Sequence, residues 1–130
     1  MSQPTTIQRP SPPASAVAEP VREWRAVDVG DGETLSTADL LRLLDGMRHA
    51  LSCRLVGSPG AFIGYDNLTV PQGAVAGPGR VIVEARLTAR SERLHNVEYV
   101  AVSVPSGAER PAATDPLLMR GSGRTLHVAC

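Results

Sequence analysis

The chain has 130 residues, and its 13 basic and 13 acidic residues give a formal net charge of zero. A neutral chain lacks the positive patch expected of a nucleic-acid-binding protein, so we expect no nucleic-acid partner. Every basic residue is an arginine, which excludes chemistry that requires a lysine amine. With one Trp, one Phe and two Tyr, the core must consist of Leu, Val and Ala, which favours completion of the apolar surface by a second subunit.

The cysteine and histidine positions argue against disulfides and metals. Cys53 and Cys130 lack metal-ligand spacing, so we expect reduced thiols. His49, His95 and His127 fall in three separate elements, so we expect structural or exposed histidines and no metal site. No apolar run reaches the roughly 20 residues of a membrane span, and the N-terminus lacks a basic segment followed by an apolar one. These features predict a cytoplasmic protein without a membrane partner.

Proline marks the N-terminal boundary of the folded region. Residues 1–20 contain Pro4, Pro10, Pro12, Pro13 and Pro20 among small polar residues. Proline removes backbone donors, and this stretch has too little apolar mass to pack, so the sequence predicts a disordered tail. Residues 21–130 form the single predicted domain. Its first element, residues 21–29, alternates loosely like a strand and ends at Gly30-Asp31-Gly32.

Residues 36–56 are predicted to form one long helix. Ser36 and Asp39 have the spacing of a capping box, in which each side chain binds a free amide of the first turn. Large apolar residues then recur at helical spacing, at Leu40, Leu44, Met47, Leu51 and Leu55. Leu41 and Leu43 widen this face, so we expect the helix to be covered on most sides.

Four strand patterns follow the helix, at residues 62–70, 81–90, 97–104 and 117–128, with a loop at 105–116 before the last. One helix with an antiparallel sheet defines the α+β class. A sheet wrapped around a single central helix is the hotdog fold, which we expect here.

The first of these strands carries a run of polar residues. Tyr65, Asp66 and Asn67 follow one another in an otherwise apolar segment that begins at Phe62. Strand alternation puts Tyr65 and Asn67 on one face and Asp66 on the other, so all three line one pocket only if the strand bulges. The structural alternative makes Asp66 and Asn67 a turn or edge pair, and Tyr65 a core ring.

From residue 34 to residue 128 the chain resembles the hotdog-fold family of 3-aminobutyryl-CoA and β-alanyl-CoA ammonia lyases. The resemblance is strongest at residues 62–67, where the family has an aromatic residue, two small or aliphatic residues and Tyr-Asp-Asn, and it continues at Ala76-Gly77. Arg120-Gly121-Ser122-Gly123 is similar to the family's Arg-Ala-Ser-Gly. The chain departs from the family before the helix, where Thr34-Leu35-Ser36-Thr37-Ala38-Asp39 stands in place of Asn-Leu-Val-Asp-Gly.

The resemblance implies reversible elimination or addition of ammonia or an amine at C3 of a CoA-linked 3-aminoacyl or enoyl thioester. It also implies a homodimer with its sites at the subunit interface, and no cofactor beyond the CoA that the substrate carries. Such a reaction needs a base for the C2 proton, an acid for the leaving amine and donors for the thioester oxygen. Tyr65, Asp66 and Asn67 are the residues that the resemblance places around the reacting carbons.

Two further carboxylates are catalytic candidates. Asp39 would replace the family's displaced carboxylate, although a helix cap is the simpler interpretation. Asp45 lies on the predicted helix, where hotdog thioesterases often carry the carboxylate that activates water. Its simpler interpretation is a surface pair with Arg48 or His49.

The phosphates of CoA call for arginines, so we expect an arginine cluster. The candidates for CoA or substrate binding are Arg80, Arg90, Arg93 and Arg120, with Arg124 beside them, together with Gly121 and Ser122.

Two other functions stay open at this point. A hotdog thioesterase would take the same class of ligand, with water as the nucleophile. A non-catalytic thioester-binding or dimerisation module would account for the departure from the family before the helix.

Overall fold

The computed structural model describes residues 15–16, 21–71 and 73–127. Its long helix is α1 (Thr37–Val56). The strands, in chain order, are β1 (Ser15–Ala16), β2 (Arg22–Val29), β3 (Thr34–Leu35), β4 (Ala61–Thr69), β5 (Val75–Ala76), β6 (Gly79–Arg90), β7 (Leu94–Val104) and β8 (Leu117–Leu126). Of the predicted N-terminal tail, residues 1–14 and 17–20 lie outside the described residues.

The strands form an antiparallel sheet with the helix packed on one face. The sheet order is β2–β6–β7–β8–β4, and β1 continues the β2 edge by pairing with the end of β6. β3, just before the helix, and β5, just after β4, form a separate two-stranded ladder. This arrangement confirms the expected α+β class. Within the residues described, no helix is both long enough and apolar enough to cross a membrane.

The helix begins and ends as the sequence predicts. Ser36 Oγ accepts a hydrogen bond from the Asp39 amide at 3.1 Å, and the Asp39 carboxylate accepts one from the Ser36 amide at 2.9 Å, so the capping box is complete. At the other end Gly57 has a left-handed backbone, with φ of 76°, and its amide donates to the Cys53 carbonyl. Glycine adopts this conformation without strain, which explains why the helix stops there.

The core lies between the helix and the middle of the sheet. Four helix residues, each at most 1% exposed, face the sheet: Leu40, Leu44, Met47 and Leu51. The buried residues that β6 and β7 contribute to the same core are Val81, Val83, Ala85, Leu87, Val97, Tyr99 and Ala101. The expectation that the helix is covered on most sides is wrong, because Arg42, Asp45 and His49 are exposed along its other side.

The structure differs from the sequence expectation at the shortest elements and at one boundary. In the ladder of β3 and β5, two residues of each strand are paired. Strands this short have no recognisable hydrophobic periodicity in the sequence. Ser15–Ala16 pairs with the end of β6 although it lies in the predicted tail. β7 begins at Leu94, earlier than predicted, because His95 and Asn96 interrupt the apolar pattern there.

Two glycines of β8 allow β4 to lie close to it. A Cβ built on Gly121 would lie 2.4 Å from the Asn67 carbonyl oxygen. A Cβ built on Gly123 would lie 2.9 Å from the Phe62 ring. Both distances are shorter than van der Waals contact, so β4 occupies the space that side chains would need. Gly121, a predicted ligand-binding residue, therefore contacts the neighbouring strand.

We expect Gly121→Ala to destabilise the fold and Gly46→Ala to stabilise it. At Gly121 the added methyl group must displace the β4 backbone, which costs about 1–3 kcal/mol in overpacked sites. Gly46 lies inside α1, and a Cβ built there is 4.0 Å from an Arg25 nitrogen, its nearest neighbour. Alanine at that position gains about 0.5–1 kcal/mol. Urea unfolding measures both changes, and changes of the same sign would contradict the close packing of β4 on β8.

Candidate functional site

Two register shifts in β4 change the predicted orientation of its polar run. The second shift falls at Asp66, where β4 has an extra residue relative to β8. Tyr65 lies opposite Gly123, on the helix side of the sheet. Asn67 lies opposite Ser122, on the outer side. The prediction that Tyr65 and Asn67 share a face is wrong, because strand alternation fails at an extra residue.

Tyr65 belongs to an aromatic cluster on the helix side of the sheet. Its ring centroid lies 4.9 Å from that of Phe62 and 5.9 Å from that of Tyr99, both in edge-to-face arrangements. Tyr99 is 1% exposed, whereas Tyr65 is half-buried. Among the described strands, β4 pairs only with β8, so Tyr65 lies beside a free edge of the sheet.

A buried arginine connects this aromatic cluster to the helix. The Arg48 guanidinium donates to the Pro59 carbonyl at 2.7 Å and to the Asp45 carboxylate at 3.2 Å. It also lies over the Phe62 ring, 5.7 Å from the centroid. The Arg48 side chain is 7% exposed and the Asp45 side chain is 62% exposed, so a fixed buried cation holds a carboxylate that solvent reaches. We call Tyr65, Phe62, Asp45 and Arg48 the edge cluster.

The two charges of the edge cluster act on the Tyr65 hydroxyl. Burial raises the pKa of Tyr65, the Asp45 carboxylate raises it further, and the Arg48 guanidinium opposes both. Burial likewise raises the pKa of Tyr99. Tyr65 therefore keeps its proton at neutral pH, and it can donate a hydrogen bond near an exposed carboxylate.

Asp66 and Asn67 lie apart from the edge cluster. The Asp66 carboxylate is ion-paired with Arg124 of β8 at 3.0 Å, and both side chains are exposed. Asn67 is exposed opposite Ser122 on the outer side. The structure thus divides the polar run into one phenol near the helix and two polar groups on the outer side.

The carboxylate of Asp39 is engaged in capping the helix. It accepts hydrogen bonds from the Ser36 amide and hydroxyl, each at 2.9 Å, and from Arg42 at 2.8 Å. The bond from the Ser36 amide, followed by the other two, lowers the pKa of Asp39. A carboxylate bound in this way is a weak base, which favours the capping interpretation over the catalytic one.

The predicted CoA-binding arginines do not form one cluster. Arg80 and Arg90 stand near opposite ends of β6, roughly 30 Å apart at the rise of a strand. Arg93 is exposed between β6 and β7. Arg120 is exposed on β8, opposite Thr69 of β4. A single CoA could therefore reach only part of this set.

A groove that sequence reasoning did not predict lies on the outer face of the sheet. Its volume is about 780 Å³, and it lies between β2 and the loop at 105–116. Arg80, held by Asp28 at 2.8 Å, is the predicted binding residue that contributes to its lining. The exposed Trp24 also lines the groove. A single tryptophan in a predicted strand was the feature of the sequence that could have indicated this surface.

Two histidines are buried as a pair at the ends of β7 and β8. His95 and His127 have ring centroids 4.3 Å apart and are 2% and 8% exposed. In the described part of the chain, His95 Nδ1 and both ring nitrogens of His127 have no hydrogen-bond partner. Burial, followed by the charges of His127 and Arg90, lowers the pKa of His95 to about 4. Burial also lowers the pKa of His127, so the pair is neutral at pH 7.

A metal site does not emerge from the residues that the structure describes. No group of three or more His, Cys, Asp or Glu side chains is placed there to hold an ion. Cys53 is a free, half-buried thiol. Cys130 lies outside the described residues.

One long helix lies against an antiparallel sheet, and comparison with solved structures identifies this class of fold as hotdog-like. The chain is similar to the β-alanyl-CoA:ammonia lyase from Clostridium propionicum, with a TM-score of 0.67 over 84% of this chain and 85% of that chain. Because 13% of residues are identical, the likeness confirms the fold, and the activity must be argued from the site. No family model matches the chain, and no curated protein is significantly similar to it.

We expect Asp45→Asn to lower the pKa of Tyr65, because it removes a negative charge that disfavours the phenolate. The chain has two tyrosines, so in a Tyr99→Phe background an absorbance titration measures the ionisation of Tyr65 alone. Asp66→Asn is the matched control and should leave the midpoint unchanged, because its carboxylate is paired with Arg124. An equal shift in both variants would show that Asp45 has no special relation to Tyr65.

We expect the fold to lose stability as the pH falls from 6.5 towards 4. The folded-state pKa of His95 lies below its ordinary 6.5, so its contribution is present above pH 6.5 and is lost as pH falls towards about 4. That contribution amounts to about 3 kcal/mol. Urea unfolding across this range should show a shallower pH dependence for His95→Gln. His49→Gln changes an exposed histidine and should keep the wild-type slope; equal slopes in all three proteins would refute the assignment.

Proposed function

We propose that this chain is an acyl-thioester enzyme that eliminates ammonia or an amine from C3 of a CoA-linked 3-aminoacyl group and catalyses the reverse addition. The observation that carries the proposal is the edge cluster: the buried Arg48 holds the exposed Asp45 carboxylate and covers the Phe62 ring, which contacts Tyr65 at a sheet edge that no other described strand covers. The likeness in fold to a β-alanyl-CoA:ammonia lyase supports the choice of a CoA thioester as the substrate.

The edge cluster offers the two groups that this reaction needs. The Asp45 carboxylate takes the C2 proton, and the electron pair of that bond is held as an enolate on the thioester oxygen. The Tyr65 hydroxyl donates a hydrogen bond to that oxygen while the negative charge is there. The enolate then collapses into the C2–C3 double bond, the C3–N bond breaks, and the Asp45 carboxyl returns the proton to the leaving amine.

Arg48 is a positioning residue in this scheme. The Pro59 carbonyl and the Phe62 ring hold the Arg48 guanidinium in place. Its hydrogen bond therefore holds the Asp45 carboxylate in one orientation. The same positive charge opposes the rise in the pKa of Tyr65 that burial causes, which keeps its hydroxyl a stronger donor. A neutral side chain at this position would lose both effects.

The proposal includes a second copy of the chain at β4. In the described residues β4 is paired on one side only, and its Ile63 is 52% exposed. An unpaired edge with an exposed apolar residue is a surface on which another strand can dock. A copy there would close over the edge cluster and exclude water from the enolate. Asp66 and Asn67 remain candidates for the pocket of that second copy.

The arginines nearest to this edge are the proposed contacts for the CoA phosphates. Arg120 and Arg124 stand on β8 opposite Thr69 and Gly64 of β4, and both are exposed. Arginine binds phosphate through paired donors, and these two residues are four positions apart on one strand, about 13 Å at the rise of a strand, so they suit separate phosphates of CoA. Arg80 and Arg90 lie on β6, three strands away from β4 in the sheet order.

A hotdog thioesterase is the second candidate function. The exposed Asp45 carboxylate could activate a water for attack on the thioester carbonyl as readily as it takes a C2 proton. A binding module without catalysis is the third, and the engagement of Asp39 in the helix cap supports it.

Incubation with crotonyl-CoA and ammonia separates these functions. The lyase forms an ammonia adduct, detected by mass, without releasing thiol, whereas the thioesterase releases thiol without adduct. Asp45→Asn should lower the rate of adduct formation by roughly a hundredfold or more, as loss of a general base does. Tyr65→Phe should lower it on the order of a hundredfold, as loss of an oxyanion donor does.

Asp31→Asn is the matched control, because this exposed turn residue lies away from the edge cluster. It should keep the wild-type rate. Wild-type rates in both Asp45→Asn and Tyr65→Phe would place the site elsewhere. Binding of crotonyl-CoA with neither product would favour the module.

A further inference from the structure

The outer face of the sheet carries a groove that the proposed reaction does not use. Its floor is formed by the paired strands β6 and β7, with the apolar Ile82, Val100 and Val102 and with Glu84 between Trp24 and Val100. One wall is β2, with Trp24, and the other is the loop at 105–116, with Pro111. We call this surface, about 780 Å³ in volume, the Trp24 groove.

Trp24 is the single tryptophan of the chain, and it is 62% exposed. It lies opposite Glu84, which lies opposite Val100, so its side chain stands at the rim of the apolar floor. A large aromatic side chain beside an open apolar groove is typical of an interface hot spot. One surface of the chain therefore carries both an open groove and a side chain of the kind that fills such grooves.

Charges of both signs surround the Trp24 groove. The positive side chains are Arg22, Arg80 and Arg110, and the negative ones are Glu84, Glu109 and Asp28, the ion-pair partner of Arg80. Because these charges balance, the groove does not favour a polyanion such as a nucleic acid or an acidic lipid surface. Arg22 on the β2 wall pairs with Glu84 at 3.3 Å in a partly exposed ion pair, and Glu109 stands on the loop wall. A rotated copy would bring a second carboxylate to Arg22, since the two walls carry opposite charges.

We propose that a second copy of this chain docks in the Trp24 groove about a two-fold axis. Trp24 of each copy enters the groove of the other, above Val100 and against Pro111. Arg22 of each copy faces Glu109 of the second copy. A two-fold interface makes every contact twice, so Trp24 of each copy fills one groove and the two grooves are filled together.

This interface is independent of the proposed contact at β4. β2 and β4 are opposite edges of the sheet, and the groove lies on the face turned away from the helix. The two contacts can coexist in one assembly. A change in mass alone would not distinguish the two interfaces. The environment of the Trp24 side chain must therefore be measured directly.

The intrinsic fluorescence of the wild-type chain provides that test, because Trp24 is its only tryptophan. As the concentration rises from nanomolar to micromolar, we expect the emission to shift to shorter wavelength and its quenching by acrylamide to fall. The sedimenting mass should rise over the same range. Emission that does not change with concentration overturns the proposal, and shielded emission from a monomer would mean that another occupant fills the groove.

Two variants locate the contact while keeping Trp24 in place. Val100→Lys puts a charge on the floor opposite Glu84, which also pairs with Arg22 and can accept a second cation in the unassociated chain. Pro111→Asp changes an exposed residue of the loop wall, outside the sheet. With circular dichroism unchanged, both variants should hold the emission at its long-wavelength position at every concentration.

Ile63→Lys is the matched control, because Ile63 is an exposed apolar residue of β4, far from the groove. It should keep the concentration-dependent shift of Trp24. Persistence of that shift in both groove variants, or its loss in the control, would overturn the proposal.

Discussion

Burial of one face of α1 against the middle of the sheet is the interaction on which the rest of the structure depends. Leu40, Leu44 and Met47 are almost fully buried, and each such side chain contributes about 1.5–3 kcal/mol. Because these residues fix the rotation of the helix, Arg48, which follows Met47, turns towards Phe62 of β4. Asp45 is tied to Arg48 one helical turn away, so the same packing that stabilises the fold positions the edge cluster.

The extra residues in β4 then decide which groups face the helix. They change the spacing of the inward-facing aromatic residues from two to three, so that Phe62 and Tyr65 contact each other on the same side. A regular strand would have placed Tyr65 and Asn67 together. The bulged strand sends Asn67 to the outer side, and Gly121 and Gly123 of β8 leave the space in which β4 can follow this path.

The long elements could be predicted from the sequence because each carries a clear hydrophobic period or cap. The Ser36–Asp39 capping box even indicated the true role of Asp39, since the contacts that form it are local. The position of Asp66 beside Arg124, and of His95 beside His127, could not be predicted, because both depend on the register between distant strands. The same holds for the edge cluster: Asp45 was a candidate, but its relation to Tyr65 depends on the rotation of the helix over the sheet.

A structure with a bound amide analogue of a 3-aminoacyl-CoA, in which NH replaces the thioester sulfur so that the carbonyl is kept and C2 is hardly acidic, would test the central claim most directly. We predict that C2 of the acyl group lies within hydrogen-bond reach of the Asp45 carboxylate, with the carbonyl oxygen at the Tyr65 hydroxyl, on the helix side of β4. An acyl group bound in the Trp24 groove, or with its C2 and carbonyl oxygen away from both Asp45 and Tyr65, would contradict the account.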